Sequence, residues 1–165
     1  MPKLIVLRGN SGSGKTTVAK ALQEKLGSNT MLISHDMIRM QVLHTRGKEG
    51  VERSLPLMIA LMRYGRKNSE FSIVEGILPV VDYLPLFETA VQEYGENIFA
   101  YYYDLPFEET LLRHATKPNQ AEFGEVEMRR WWQEKDFLPN IRETVFQKDL
   151  GFSEAVQRIY DDVTK

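Results

Sequence analysis

Cysteine is absent from this chain of 165 residues. Disulfide bonds, thiolate metal ligands and cysteine nucleophiles are therefore excluded, and the absence fits a reducing compartment. Long apolar runs are missing as well, because no stretch approaches the roughly 18 residues that a membrane-spanning helix needs. The first apolar run begins within a few residues of the start, so we expect no signal peptide before the fold. We therefore expect a cytoplasmic protein without a membrane partner.

The chain also lacks a surplus of positive charge. Lys and Arg total 21 against 23 Asp and Glu, which gives a formal net charge of −2. General nucleic-acid binders usually carry a basic surplus, so the balance disfavours a nucleic-acid partner, although a local basic groove would escape this test. The length suits one domain over residues 1–165, and 42% hydrophobic residues are typical of a soluble globular protein.

One segment near the start has a diagnostic spacing. Residues 9–17, Gly-Asn-Ser-Gly-Ser-Gly-Lys-Thr-Thr, fit the phosphate-binding pattern G-x-x-x-x-G-K-[ST], known as the P-loop. The apolar run Lys3 to Leu7 before it predicts a buried strand, and Thr17 to Leu26 after it has helical spacing. A strand, a glycine loop and a helix in this order turn backbone N–H groups toward an anion at the helix N-terminus.

The residue types assign roles within this loop. Lys15 is predicted to reach the β- and γ-phosphates of a nucleotide, and Thr16 to offer its hydroxyl to Mg²⁺. The glycines take backbone angles that let the chain approach the phosphates closely. The predicted nucleotide-binding residues are Gly9, Asn10, Ser11, Gly12, Ser13, Gly14, Lys15, Thr16 and Thr17.

Strand-like and helical segments alternate along the rest of the chain. This alternation predicts an α/β fold whose parallel sheet is covered on both faces, with ligands beyond the carboxyl ends of the strands. Asp104 is expected to cap the helix that carries Pro106, and Ser153 to cap the last helix. The strand-like runs are Met31–Ser34, Phe71–Val74, Ile98–Tyr103 and, more weakly, Thr144–Phe146. The helical stripes are Leu57, Met58, Leu61 and Met62 within residues 54–68, then Leu84, Phe87 and Val91.

Charged side chains follow two of the predicted strands. Asp36 and Arg39 are three apart, so both can point the same way from the first turn of a helix. Asp36 could accept a proton from an attacking hydroxyl, and Arg39 could hold a polar or anionic part of the acceptor. The alternative is a helix cap beside a solvated cation. Glu75 ends the third strand, where it could order a water on Mg²⁺ or contact substrate, unless it belongs to an ordinary turn.

A cationic segment follows the fourth strand. Arg113 and Lys117 share a helix face if the helix extends that far, and a polar loop, Pro118 to Gly124, comes next. Approximately residues 113–135 could close over the phosphates as a lid and neutralise the charge that develops during transfer. The alternative is a solvated basic face. Trp131 and Trp132 are expected to pack between this segment and the core.

On these residues the chain resembles the small P-loop kinases. It looks closest to the AAA_33 or zeta-toxin-like group, which includes relatives of chloramphenicol phosphotransferase and polynucleotide 5′-kinase. The resemblance covers nearly the whole chain and implies a three-layer P-loop NTPase fold, with a five-stranded parallel sheet in the order 2-3-1-4-5 and a helical lid. It also implies ATP as the donor, Asp36 as the acceptor's base and Arg39 as an acceptor-side contact. The resemblance rests on Gly9–Thr17, Asp36-x-x-Arg39, Glu75-Gly76 and Arg113-x-x-x-Lys117.

The sequence therefore predicts an ATP- and Mg²⁺-dependent phosphotransferase with an alcohol group as acceptor. The acceptor would be a small molecule such as a sugar, a nucleoside or an antibiotic. Two other hypotheses stay open: a kinase acting on the 5′-hydroxyl of a nucleic acid, and an ATP-binding switch that makes no phosphorylated product. Neither the acceptor nor the oligomeric state follows from the sequence. The catalytic candidates are Lys15, Asp36, Arg39, Arg113 and Lys117, and the metal-binding candidates are Thr16 and Glu75.

Overall fold

The computed structural model describes residues 1–117 and 121–165. Residues 118–120, which belong to the predicted lid loop, lie outside the described residues. The strands are β1 Lys3–Gly9, β2 Thr30–Ser34, β3 Phe71–Gly76, β4 Ile98–Tyr103 and β5 Glu143–Phe146. The helices are α1 Lys15–Leu26, α2 His35–Met37, α3 Gly47–Asn68, α4 Val80–Tyr94, α5 Phe107–Ala115, α6 Glu125–Arg130 and α7 Phe152–Thr164. A π-helical turn, Ile38–Val42, extends α2.

The five strands form one parallel sheet in the order β2-β3-β1-β4-β5, which confirms the predicted topology. Central strand β1 pairs with β3 and β4 in register, so that Val6 faces Val74 on one side and Ala100 on the other. Because helices cover both faces, β1 is buried on both and its sequence is a continuous apolar run rather than an alternating one. All five strands deliver their carboxyl ends to the same edge.

Alternate residues of the strands enter two separate apolar cores. Leu4 and Val6 pack with the α3 and α4 side chains, including Met58 and Phe87. Ile5 and Leu7 pack on the opposite face, in a cluster that also contains Leu22 of α1 and Ile159 of α7. Burying one such side chain stabilises the fold by roughly 1.5–3 kcal/mol. No helix among the described residues has both the length and the apolar character needed to cross a membrane.

Several helix details differ from the sequence predictions. Helix α3 begins at Gly47, several residues before its apolar stripe. The sequence did not indicate this start, because the first turns of the helix are largely exposed and carry no apolar pattern. In α4 the buried face is centred on Tyr83 and Phe87, whereas Val91 is exposed. The N-cap of α7 is Gly151, whose N–H donates to Glu154, so Ser153 lies inside the helix. The prediction that Ser153 caps this helix is therefore wrong.

A buried guanidinium lies at the carboxyl end of β1. Arg8 is fully buried and donates to both carboxylate oxygens of Glu143, at 3.1 and 2.9 Å, and to Oδ2 of Asp136 at 2.9 Å. Its Nη2 also donates to the carbonyl oxygen of Leu78 at 3.1 Å. Leu78 has a positive φ of 44°, a strained backbone for this residue type. Burial raises the pKa of Glu143, and Arg8 opposes that rise.

We expect Arg8→Met to lower the free energy of unfolding by about 3–5 kcal/mol, because it leaves the carboxylate of Glu143 buried without its cation. Urea denaturation at pH 7 measures the loss. Arg53→Met is the matched control, since its ion pair with Glu49 is exposed, and we expect it to cost less than about 1 kcal/mol. Equal unfolding midpoints for the two variants would contradict a structural role for the buried cluster.

Candidate active site

The glycine loop joins the end of β1 to the start of α1. Gly12 and Gly14 have φ of 86° and 93°, a left-handed backbone that other residues rarely adopt. Gly14 immediately precedes the first residue of the helix, and the first turn of α1, residues 15–18, contains no carboxylate. The partial positive charge of the helix N-terminus is therefore not neutralised by its own side chains. This arrangement favours an anion at the loop.

Helices α5 and α6 pack against the glycine loop. A Cβ atom on Gly12 would lie 2.5 Å from the carbonyl oxygen of Thr110 and 2.9 Å from the terminal methyl of Met128. Thr110 and Met128 are both buried, on α5 and α6 respectively. The sequence assigns Gly12 to phosphate binding. The structure adds a second reason for a glycine there, because α5 and α6 leave no space for a side chain.

Lys15 lies buried within the loop. Its ammonium group donates to the carbonyl oxygen of Asn10, with Nζ and O 3.1 Å apart. Burial lowers the pKa of Lys15 to about 8, although the carboxylate of Glu75 opposes this. An anion bound at the loop would compensate the buried charge and restore the preference for the ammonium form.

Glu75 meets the loop from the end of β3. It is 2% exposed and accepts hydrogen bonds from the hydroxyl of Thr16, at 3.1 and 3.2 Å, and from the hydroxyl of Ser34 at 2.6 Å. These are hard oxygen donors, the kind that Mg²⁺ prefers. Among the described residues no group of three or more His, Asp and Glu side chains could hold a metal ion. Ser34 was missed from sequence, where a serine at a strand end carries no distinguishing signal.

Asp36 and Arg39 lie where β2 gives way to helix. The side chain of Asp36 is 68% exposed, and its Oδ1 accepts from Nη2 of Arg39 at 3.2 Å. The aliphatic stem of Arg39 packs against Gly50, where a Cβ atom would lie 2.8 Å from Cδ of the arginine. The hydroxyl of Thr45 donates to the carbonyl oxygen of Arg39 at 3.2 Å. Asp36 therefore faces solvent, whereas the side chain of Arg39 is only 27% exposed and packs against α3.

Two cations come from α5 and the residues that follow it. Arg113 donates from Nη1 to the carbonyl oxygen of Ser13 at 2.9 Å, so it contacts the P-loop directly. Helix α5 ends at Ala115, so Lys117 does not share a helix face with Arg113. Burial lowers the pKa of Lys117, while the carboxylates of Glu75 and Asp36 oppose the shift. The charge of Lys117 therefore interacts with the two carboxylates of the site.

The chain that returns from α6 is fixed to the same loop. The side-chain amide of Asn10 donates to the carbonyl oxygen of Gln133, and the N–H of Gln133 donates back to Oδ1 of Asn10, both at 2.7 Å. Nearby, Nζ of Lys135 donates to Asp104 at 2.6 Å. The N-cap position of α5 is occupied by Pro106, and no side chain caps the helix. The prediction that Asp104 caps this helix is therefore wrong.

The two tryptophans of this segment each pack against a phenylalanine. Trp132 packs edge-on against Phe107 with ring centroids 5.3 Å apart, and Trp131 packs against Phe123 at 5.1 Å. The guanidinium of Arg129 lies 4.2 Å from the Phe107 ring. Trp131 is exposed on its outer side, so the expectation that it packs into the core is met only in part.

The comparisons with known proteins agree with this fold. Residues 4–138 match the AAA_33 family of AAA domains. The Mycobacterium tuberculosis APS kinase, solved with AMPPNP and APS, is similar over 99% of this chain and 98% of its own, with a TM-score of 0.71 and 18% identity. Among curated proteins none matches the sequence.

Two further solved structures share the architecture. The Deinococcus radiodurans tunicamycin resistance protein is similar over 99% of this chain and 96% of its own, with a TM-score of 0.67 and 20% identity. The Acinetobacter baumannii shikimate kinase, in complex with shikimate, covers 99% of this chain and 93% of its own, with a TM-score of 0.63 and 18% identity. At these identities the likeness establishes the fold.

We expect Gly12→Ala to destabilise the protein more than Gly27→Ala. Both glycines have φ near 90°, so both variants lose about 1–3 kcal/mol to backbone strain. Only the residue at position 12 meets other atoms, which adds about 1–3 kcal/mol of overpacking, because nothing lies within 4 Å of a Cβ at Gly27. Urea unfolding without ligand measures the stability of both variants. Equal losses of unfolding free energy would show that Thr110 and Met128 move away from the new methyl group at no cost.

Proposed function

We propose that this chain, which belongs to the AAA_33 family of AAA domains, is an ATP- and Mg²⁺-dependent kinase that phosphorylates a hydroxyl group of a small molecule. The observation that carries the proposal is the convergence of four groups at one sheet edge. These groups are an anion-binding loop with Lys15, a buried Glu75, an exposed Asp36 beside Arg39, and Lys117, whose charge interacts with both carboxylates. The solved structures that share this fold support the class, because their names include APS kinase and shikimate kinase.

The donor nucleotide would bind with its triphosphate in the loop of residues 9–17. Lys15 would leave the carbonyl oxygen of Asn10 and neutralise the β- and γ-phosphates. Arg113, already hydrogen-bonded to Ser13 in the loop, would add positive charge from above. We take residues 1–165 as one kinase domain with its lid at approximately residues 113–135.

Thr16 and Glu75 would hold Mg²⁺ at the loop. The hydroxyl and the carboxylate are in contact, and Glu75 has no ion pair with a cation among the residues that the structure describes. When bound, the ion supplies neutralisation of the charge on the β- and γ-phosphate oxygens. Ser34 would orient Glu75 through its 2.6 Å hydrogen bond.

Asp36 would act as the base for the acceptor. Its carboxylate takes the proton of the acceptor hydroxyl as that oxygen forms a bond to the γ-phosphorus. The bond from the γ-phosphorus to the bridging oxygen breaks, and its electron pair leaves with ADP. Arg39 would hold the acceptor, while Lys117 neutralises the charge that develops on the transferred group.

The two other hypotheses make different products. A switch would release only phosphate and would leave Asp36 and Arg39 without a chemical task. A kinase for nucleic-acid 5′-ends would label an oligonucleotide, with an affinity that falls steeply as salt rises. Incubation with γ-labelled ATP and either a metabolite extract or a 5′-hydroxyl oligonucleotide separates the three, with Lys15→Ala protein as the blank. Labelled phosphate alone would contradict the kinase proposal.

We expect Asp36→Asn to bind ATP with nearly unchanged affinity but to lower the rate of transfer about 10²–10⁴-fold, because the amide cannot accept the hydroxyl proton. Calorimetry measures the affinity, and the labelled-acceptor assay measures transfer. Asp161→Asn on α7 is the control for the same chemical change away from the site, and it should retain full activity. Normal transfer by Asp36→Asn would remove Asp36 from the role of base.

We expect nucleotide binding to take up a proton at pH 9 but much less at pH 7. The free protein has Lys15 with a pKa of about 8, so the amine is mostly neutral at pH 9, and the phosphates would return it to the ammonium form. Affinity should therefore fall as the pH rises above 8. Calorimetric titration with ADP in two buffers of different ionisation enthalpy measures the uptake.

Lys15→Arg is the control for this linkage, because arginine stays charged at pH 9. Proton uptake that persists unchanged in Lys15→Arg would assign the linkage to another group, of which Lys117 is the candidate with a lowered pKa.

A further inference from the structure

His35 occupies a buried position next to the proposed base. It is the first residue of α2, between Ser34 and Asp36, and its side chain is 8% exposed. A Cβ atom on Gly76 would lie 2.6 Å from Cβ of His35, so the missing side chain at Gly76 makes room for the imidazole. None of the steps proposed above uses this histidine.

A chain of hydrogen bonds holds the imidazole from behind. Nε2 of His35 lies 2.5 Å from the hydroxyl of Tyr83, which lies 3.0 Å from the hydroxyl of Ser54. Tyr83 belongs to α4 and Ser54 to α3, and both are fully buried. The Tyr83 ring also packs edge-on against the imidazole, with ring centroids 4.9 Å apart. Tyr83, itself hydrogen-bonded to Ser54, therefore fixes the orientation of the His35 ring.

The other ring nitrogen faces the site. Nδ1 of His35 lies 4.0 Å from Oδ1 of Asp36. Burial lowers the pKa of His35 to about 4; Asp36 opposes this shift, whereas Arg39 and Lys15 add to it. The imidazole is therefore neutral at pH 7 and carries one N–H. A carboxylate only accepts hydrogen bonds, so an N–H on Nδ1 attracts Asp36, whereas a lone pair there would repel it.

We propose that His35 is a positioning residue for phosphoryl transfer. Tyr83 donates its O–H to Nε2, the nearer of its two polar neighbours at 2.5 Å against 3.0 Å for Ser54, which places the N–H on Nδ1. That N–H orients the carboxylate of Asp36 toward the acceptor hydroxyl. The inference rests on Asp36 being the base of the proposed kinase. At 4.0 Å the contact is longer than a hydrogen bond, and it shortens when the acceptor engages Arg39 and releases the Asp36 carboxylate.

The tautomer can be measured without knowing the acceptor. The chain has three histidines, so ¹⁵N-labelled histidine gives a simple long-range ¹H–¹⁵N spectrum, in which the His35→Asn variant assigns the signals of His35. We expect the proton on Nδ1 at pH 7, and we expect Tyr83→Phe to move it toward Nε2. A proton on Nε2 in the unmodified protein would overturn the inference.

Tyr94→Phe is the matched control for the loss of a buried hydroxyl. Its O–H donates to the carbonyl oxygen of Met62 at 3.0 Å, which also joins α4 to α3. We expect this variant to leave the His35 signals unchanged. The same tautomer change in Tyr94→Phe would mean that loosened helix packing, and not the Tyr83 hydroxyl, controls the imidazole.

Two substitutions at His35 then distinguish a role in orienting Asp36 from a purely structural role of the buried imidazole. An asparagine side chain places its amide nitrogen near Nδ1, and a glutamine side chain reaches the position of Nε2. With the acceptor found in the screen above, we expect His35→Asn to keep kcat within about tenfold and His35→Gln to lose more than about tenfold, both with unchanged KM for ATP. Equal losses, or a more active glutamine variant, would overturn the positioning role. If the unmodified protein labels no acceptor, the proposed function fails, while the tautomer measurement still decides whether His35 presents its N–H to Asp36.

Discussion

A buried positive charge in the central strand determines where the surrounding loops lie. Arg8 directly precedes the P-loop, and its partners are Leu78 after β3, Asp136 after α6 and Glu143 in β5. Taking a guanidinium out of water costs several kcal/mol unless its donors are satisfied, so these partners are held in place together. The same side chain therefore positions both the start of the phosphate loop and the chain that follows α6.

Short-range patterns in the sequence were enough to predict the sheet and the loop. Glycine spacing, the apolar run of β1 and the alternation of elements are local signals, and they gave the strand order through the resemblance to known kinases. The Arg8 cluster could not be predicted, because Asp136 and Glu143 lie 128 and 135 positions after Arg8 in the chain. The buried face of helix α5 has no apolar signal in the sequence, because its buried residues Thr110 and His114 are polar. Thr110 meets the glycine loop rather than an apolar core.

The site was predictable to the extent that parallel strands share an edge. Asp36 and Glu75 follow adjacent strands, so their proximity to the loop follows from the topology. Ser34 was not recognised as a site residue, and the proposed positioning role of His35 was not predicted, because both depend on side-chain direction. The Ser34 hydroxyl points to Glu75, and the His35 ring lies between Tyr83 and Asp36. Their neighbours in space come from helices that no local pattern connects.

The two apolar cores give the fold an evolutionary consequence. Strand residues of one parity support α1 and α7 behind the phosphate loop, whereas those of the other parity support α3 and α4 behind Asp36 and Arg39. Under the proposed function, substitutions in the α3–α4 layer would reshape the acceptor side of the site while the layer behind the phosphate loop keeps its packing. Descendants of one ancestral gene would then diversify in what they modify and retain a common energy source.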